Sequence, residues 1–156
     1  MRALRLIWVG RLKEPFFREA CDHYLHKLGR SCPLKEVVVK DAPAKLPEPD
    51  RVAHEGREIV RRLEPKDIVI CLDERGIRPT SRELAKLLGN WWESPGRTAA
   101  LCIGGPFGLS AEVKARAEIT LSLSPLTLPH DLARVVLLEQ LYRAASILAG
   151  SPYHHD

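Results

Sequence analysis

Three short stretches of this 156-residue chain combine residue types and spacings that can hold a ligand and handle a proton. They are Leu72-Asp73-Glu74-Arg75-Gly76, then Gly104-Gly105-Pro106-Phe107-Gly108-Leu109, then Leu123-Ser124-Pro125-Leu126-Thr127-Leu128-Pro129-His130. Gly104 and Gly105 remove side chains and so let a ligand approach the backbone closely, while Gly108 precedes Ser110, which can cap a helix whose free N–H groups receive polar atoms. The run is neither GxGxxG nor a Walker loop, which excludes a dinucleotide or nucleoside-triphosphate fingerprint. A plain tight turn would account for it as well. Leu123 to Leu128 is apolar and proline-bounded, with Ser124 and Thr127 its only polar side chains. It offers backbone hydrogen bonds beside an apolar wall, the surroundings that suit an adenine ring; a structural loop packed on a sheet would have the same composition.

Further along, His130 and Arg134 are four residues apart and share one helical face, with Asp131 within reach of Arg134. Glu139 and Arg143 are also four apart, in the favourable acid-first order of a surface helix pair. Arg134 and Arg143, nine apart, point in roughly opposite directions and should not form one cationic site within a subunit. The terminus carries Tyr153, His154 and His155. An aromatic ring can stack on a base and His titrates near neutrality, so the tail can act as an RNA-contacting or proton-handling arm; the other reading is a frayed end.

Four cysteines at 21, 32, 71 and 102 match no zinc or redox spacing, and Cys71 and Cys102 sit inside apolar runs where a free thiol behaves as a small hydrophobe. No metal is expected, and a reducing compartment is. The net charge of +4 arises entirely in residues 1–64, which hold 14 Lys or Arg against 10 Asp or Glu. Such a bias favours a phosphate-rich partner only weakly.

These candidates need elements to position them. Short β-rich runs alternate with helix-compatible segments, the pattern of an α/β fold with a mainly parallel sheet of five to six strands and helices on both faces. Strands are expected at Leu4 to Val9, Leu34 to Val39, Asp67 to Asp73, Thr98 to Ile103 and Ile119 to Leu123, several of them continuous apolar runs as double coverage requires. Helices are expected at about 15–29, 50–64, 80–92, 110–117 and 130–149, with Thr80 and Glu83 forming a capping box and Ser110 capping the fourth. Asp41 to Pro49 has three prolines in nine residues and reads as a loop throughout. In parallel sheets ligands bind at the carboxyl ends of strands, which is where all three chemical stretches fall.

Val135, Val136, Leu137 and Leu138 are consecutive and place apolar groups around most of the last helix. That helix should be buried on more than one side, either by a partner subunit or wedged within its own chain. Length and an apolar fraction of 45% fit one domain, residues 1–156. No stretch approaches the roughly 18–20 apolar residues of a membrane span, and residues 1–10 lack the pattern of a signal peptide, so a soluble cytoplasmic protein is expected.

Taken together, LDERG, LCIGGPFGLS, LSLSPLTLPHDLARVVLLEQLYRA and the terminal PYHH closely resemble the RlmH family, the large-subunit (23S) ribosomal RNA pseudouridine N3-methyltransferases of the SPOUT, or α/β-knot, class. The likeness runs almost end to end, strongest over 99–155 and weakest through the proline-rich loop. It implies a C-terminal trefoil knot, with S-adenosylmethionine bound against loops at Leu72, at Gly104 and Gly105, and at Leu123, Ser124, Pro125, Leu126, Thr127 and Leu128. It also implies a homodimer through the last helix and 23S rRNA within the assembled ribosome as the substrate. For transfer to a protonated imide nitrogen, His130, Tyr153 and His154 are candidate proton acceptors or orienters, and Arg134 or Arg143 candidate anion stabilisers. His155 departs from the family, which commonly has Lys or Arg there, and Phe107 occupies a position often polar. Two alternatives stay open: a SPOUT enzyme for another RNA such as tRNA, and a non-catalytic ribosome-binding knot protein.

Overall fold

The apolar runs form strands because both faces of their sheet are covered. The computed structural model describes residues 2–156. In chain order the elements are β1 (Leu4–Val9), α1 (Pro15–Gly29), β2 (Leu34–Val39), α2 (Glu48–Arg62), β3 (Asp67–Ile77), α3 (Ser81–Glu93), β4 (Thr98–Ile103), α4 (Ala111–Arg116), β5 (Ile119–Leu121) and α5 (His130–Leu148). The five strands lie in the order β2-β1-β4-β3-β5, and every pairing is parallel. Alternate side chains feed two cores. Leu4, Leu6 and Trp8 of β1 join Leu101 of β4 and Ile70 of β3 under α1, α3 and α5. Ile7, Val9, Val69, Cys71, Ala100 and Cys102 face the opposite side with Ile59 of α2 and Val113 of α4. Each fully buried Leu or Ile contributes about 1.5–3 kcal/mol, which is why β1, β4 and the first half of β3 are mostly apolar on both faces.

Three boundaries differ from the sequence reading. α2 begins at Glu48, inside the stretch expected to be all loop, because proline in a first helical turn gives up an N–H that would have no partner there, and Pro49 stands in that turn. β3 continues to Ile77, past the expected Asp73: a bulge after Leu72 shifts the register, and Ile77 then pairs with Leu121. β5 correspondingly stops at Leu121. The capping box at α3 is complete, with the Glu83 amide donating to Thr80 Oγ1 at 3.2 Å and the Thr80 amide to Glu83 Oε2 at 2.7 Å. Ser110 caps α4 by accepting from the Val113 amide at 3.3 Å.

After β5, at the sheet edge, the chain runs back through residues 122–129 to α5, which packs between α1 and α3. That route is compatible with the expected knot. α1 and α3 cover α5 from two sides, so Leu137, Leu138 and Leu141 are fully buried within one chain. Val135 and Val136 are left half-buried, and Leu132 and Leu148 exposed. Among the described residues no helix is long and apolar enough to cross a membrane, and no group of three or more His, Cys, Asp or Glu side chains could hold a metal ion.

All four thiols are free and buried. Burial pushes Cys21, Cys32 and Cys71 up to about 11 and Cys102 higher still. A group whose pKa is raised by folding stabilises the fold below its unfolded pKa, and that stabilisation is lost as pH rises through the folded value. Iodoacetamide at about pH 8, just below the ordinary thiol pKa, should therefore leave the folded protein unlabelled and modify all four cysteines in guanidinium. Urea midpoints should fall between pH 9 and 11; a flat profile there would mean the thiols are not buried as described.

Candidate active site

The sheet changes direction between β1 and β4, since the chain builds β2 on one side of β1 and places β4, β3 and β5 on the other. A crevice forms outside the carboxyl ends of strands at such a point. Here it is a cavity of about 800 Å³.

Its floor is the turn after β4. Gly108 donates from its amide to the Gly105 carbonyl at 3.0 Å and adopts φ +84°, with Pro106 and Phe107 between them. Proline at the second position and glycine at the fourth suit such a turn. The turn folds so tightly that a Cβ on Gly104 would sit 2.5 Å from the Gly108 carbonyl carbon and oxygen. The side chain missing at Gly104 is thus required by the turn's own backbone, and a larger residue there would distort the floor before it reached a ligand. A Cβ on Gly105 would meet Glu55 Oε1 at 2.9 Å. Glu55 is buried on α2, its Oε2 accepting from the Ala42 amide at 2.9 Å.

The extension of β3 forms one wall. Asp73 Oδ2 lies 2.8 Å from Lys114 Nζ of α4, and its Oδ1 accepts from the Arg75 amide at 2.9 Å. Partial burial works against the Asp73 carboxylate, but those two hydrogen bonds hold it below its ordinary value. Thr127 donates to Glu74 Oε2 at 2.9 Å, tying β3 to the loop before α5. Within that loop Ser124 Oγ accepts from the Leu126 amide at 2.9 Å, and Ser122 Oγ donates to the Ser124 carbonyl at 2.9 Å. The serines are spent on shaping the loop.

Of the residues singled out from sequence, Leu72, Gly104, Gly105, Leu123, Ser124, Leu126, Thr127, Leu128 and His130 all line this cavity. Pro125 is exposed within the same loop but outside the lining. His130 opens α5, its Nε2 3.0 Å from Asp131 Oδ1, so Asp131 pairs with His130 rather than with Arg134.

Arg134 is 2% exposed and turns away from the cavity. Its Nη2 donates to the Gly10 carbonyl at 2.8 Å and to the Val9 carbonyl, and the guanidinium lies 5.5 Å from the centre of the Trp8 ring. Burial lowers its pKa from the usual arginine value, and Asp131 opposes that shift. It fastens the start of α5 to the end of β1.

The tail folds onto α5. Tyr153 OH donates to Glu139 Oε1 at 3.1 Å, and its ring meets Tyr142 edge-on at 4.6 Å. Arg143 Nη1 is 3.2 Å from His154 Nδ1, and Arg143 Nη2 donates to Glu139 at 2.5 Å. Burial, with Glu139 alongside, pushes the Tyr153 phenol up to about 12, so it keeps its proton at neutral pH. Glu139 is nine residues along α5 from His130, an axial rise of about 14 Å. Tyr153 and His154 therefore do not meet His130 in this chain; a part in the same reaction requires release of the tail or a second copy.

Arg75 and Phe107 line the cavity from within the stretches singled out from sequence, and Glu48 from the first turn of α2 and Lys114 of α4 join from outside them. The signals of Glu48 and Lys114 were faint because each reaches the site through tertiary packing. Lys114 meets Asp73 across 41 residues, and no local pattern encodes that pairing.

A sequence profile described as predicted SPOUT methyltransferase matches residues 1–154. The chain belongs to that family. Among similar proteins, the ribosomal RNA large subunit methyltransferase H of Maridesulfovibrio salexigens is 61% identical over 155 residues, covering 99% of each chain. The protein of the same name from Nitratidesulfovibrio vulgaris strain DP4 is 50% identical over 156 residues and the whole of both chains. A probable methyltransferase from Bordetella pertussis Tohama I superposes with a TM-score of 0.60 at 16% identity, over 91% of this chain and 93% of that one. A probable methylase family protein from Haemophilus influenzae gives 0.60 at 13% identity, over 98% and 70%. At that distance the superpositions establish the SPOUT fold alone, and they agree with the all-parallel sheet and its covering helices.

Proposed function

We propose that this SPOUT protein transfers the methyl group of S-adenosylmethionine to N3 of a pseudouridine in 23S ribosomal RNA. The supporting observation is the cavity itself, joined to end-to-end likeness, at 50–61% identity, with large subunit methyltransferases. Its volume suits a ligand of this size. Leu72, Ile103, Leu123 and Leu128 supply apolar wall, and the turn at Gly104 and Gly105 supplies backbone without side chains. Glu48, Asp73 and Glu74 outnumber the lining cations Arg75 and Lys114. An excess of carboxylate fits a cationic ligand, and S-adenosylmethionine carries a sulfonium.

Bound there, the cofactor supplies an electrophilic methyl group. The work left to the chain is alignment and exclusion of water, since displacement at a methyl carbon needs nucleophile and leaving group in line. The loops closing over the ends of β3, β4 and β5 do this as fixed walls: Thr127 is held by Glu74, Ser124 by the Leu126 amide, and Gly108 by Gly105. The target nitrogen must lose its proton. His130 is the side chain at the cavity with a ring nitrogen suited to take it, and Asp131 orients that ring. Arg134 keeps His130 in place by anchoring the first turns of α5.

The protein acts as a single cytoplasmic domain that forms a homodimer through the half-buried face of α5 at Val135 and Val136. Tyr153 and His154 then act on the RNA. Deletion of residues 152–156 should lower methylation of ribosomes by at least about tenfold, equivalent to roughly 1.4 kcal/mol, and leave cofactor affinity unchanged. Undiminished turnover would make the tail a clasp for Glu139 and Arg143 only. The reading as a whole is tested by nucleoside mass spectrometry of 23S rRNA from cells with and without the gene. Loss of 3-methylpseudouridine with the gene is expected; its persistence, or loss of a methylated tRNA nucleoside instead, would overturn the assignment.

A further inference from the structure

We infer that the loop from β1 into α1 is an RNA-docking platform beside the cavity, with Phe16 as its stacking ring and Arg11 and Lys13 as its phosphate contacts. This rests on the reading of the chain as an RNA methyltransferase and adds where the RNA strand lies. Phe16 is 61% exposed at the start of α1, its ring 4.6 Å from that of Phe17, which backs it. Leu12 packs against the core, and Arg11 and Lys13 on either side of it are exposed. Among the described residues neither cation is in a salt bridge with a carboxylate, so both are open to a phosphate. An exposed aromatic beside two unpaired cations is the combination that holds single-stranded nucleic acid, by stacking and by charge.

The platform stands next to the site. β1 and β4 are neighbours in register up to Trp8 and Ile103, so continuing that register brings Val9 and Gly10 out beside Gly104 and Gly105. His130 and Ala133 line the cavity, and Arg134, the next residue, donates to the carbonyls of Val9 and Gly10. The residue that positions the cavity mouth therefore also fixes the root of the loop, and an RNA strand held at Phe16 is held relative to His130.

The test uses the full-length protein and 70S ribosomes from cells lacking the gene, with ribosome binding, methyl transfer, cofactor affinity and sedimentation measured for each variant. Phe16→Ala should raise the KM for ribosomes about tenfold with kcat within twofold, and Phe16→Trp should restore it. Arg11→Gln with Lys13→Gln should flatten the plot of log affinity against log salt by a slope of about 1.4, two single-strand phosphate contacts' worth. Cofactor affinity and sedimentation should match wild type throughout. Unchanged ribosome binding would overturn the platform. So would a shift in sedimentation with Phe16→Ala, which would make this face a contact between copies of the chain. If the wild-type protein binds ribosomes through these residues but transfers no methyl group, the platform stands and the methyltransferase reading falls; if it binds no ribosomes, both fall.

Discussion

Gly104→Val should lower affinity for S-adenosylmethionine by at least about a hundredfold, roughly 2.7 kcal/mol, in a protein that still folds. The loss arises within the protein. A Cβ at this position would come within 2.5 Å of the Gly108 carbonyl carbon and oxygen, a contact with backbone that no side-chain rotation relieves. The turn must open, and its opening breaks the 3.0 Å bond from the Gly108 amide to the Gly105 carbonyl. Gly105→Val should cost less, because its Cβ meets a carboxylate oxygen of Glu55 and a methyl of Val9 rather than backbone. Calorimetry on both variants checks this ranking. Affinity within about twofold of wild type for Gly104→Val, less than roughly 0.4 kcal/mol, would place the cofactor elsewhere.

The second large effect should come from Arg134. Arg134→Ala removes the donor to two carbonyls at the end of β1 and leaves both buried without it. Hydrogen bonds from a charged donor are worth about 1.5–3 kcal/mol each and only part is recovered by relaxation, so a loss of about 3 kcal/mol in urea unfolding is expected. Arg134→Lys, which keeps the charge but not the two-pronged geometry, should recover about half. Were Arg134 instead an anion stabiliser in the reaction, alanine would reduce turnover and leave the unfolding midpoint in place. The two readings thus separate on a stability measurement alone.

That residue also shows where sequence reasoning reached its limit. The spacing of Arg134 from His130 correctly put both near the first turns of α5, but spacing says nothing about what lies against that face. The end of β1, 124 residues earlier, claimed the guanidinium. For the tail, residue types suggested contact with RNA but carried no sign of where the chain holds it, with Tyr153 resting on Glu139 and Tyr142. By contrast the stretches that line the cavity were legible because each is contiguous and glycine or proline leaves a mark wherever backbone must turn sharply. All five strands begin and three end as expected, since double coverage makes a buried parallel strand a continuous apolar word. β3 outran its apolar run because the polar stretch Asp73 to Gly76 remains extended through a bulge, and a bulge has no hydrophobic pattern. α2 began early because a proline that forbids the middle of a helix is welcome in its first turn.

On the proposed function, the cavity at Leu72, Gly104, Gly105 and Leu123 to Leu128 delivers a methyl group to large-subunit RNA. The most direct measurement incubates the purified protein with methyl-labelled S-adenosylmethionine and 70S ribosomes from cells lacking the gene, then digests the RNA and identifies the labelled nucleoside. Label in 3-methylpseudouridine from 23S rRNA, abolished by Gly104→Val while that variant still binds ribosomes, is the predicted result. No incorporation into ribosomal RNA, or label carried by tRNA under the same conditions, would contradict it.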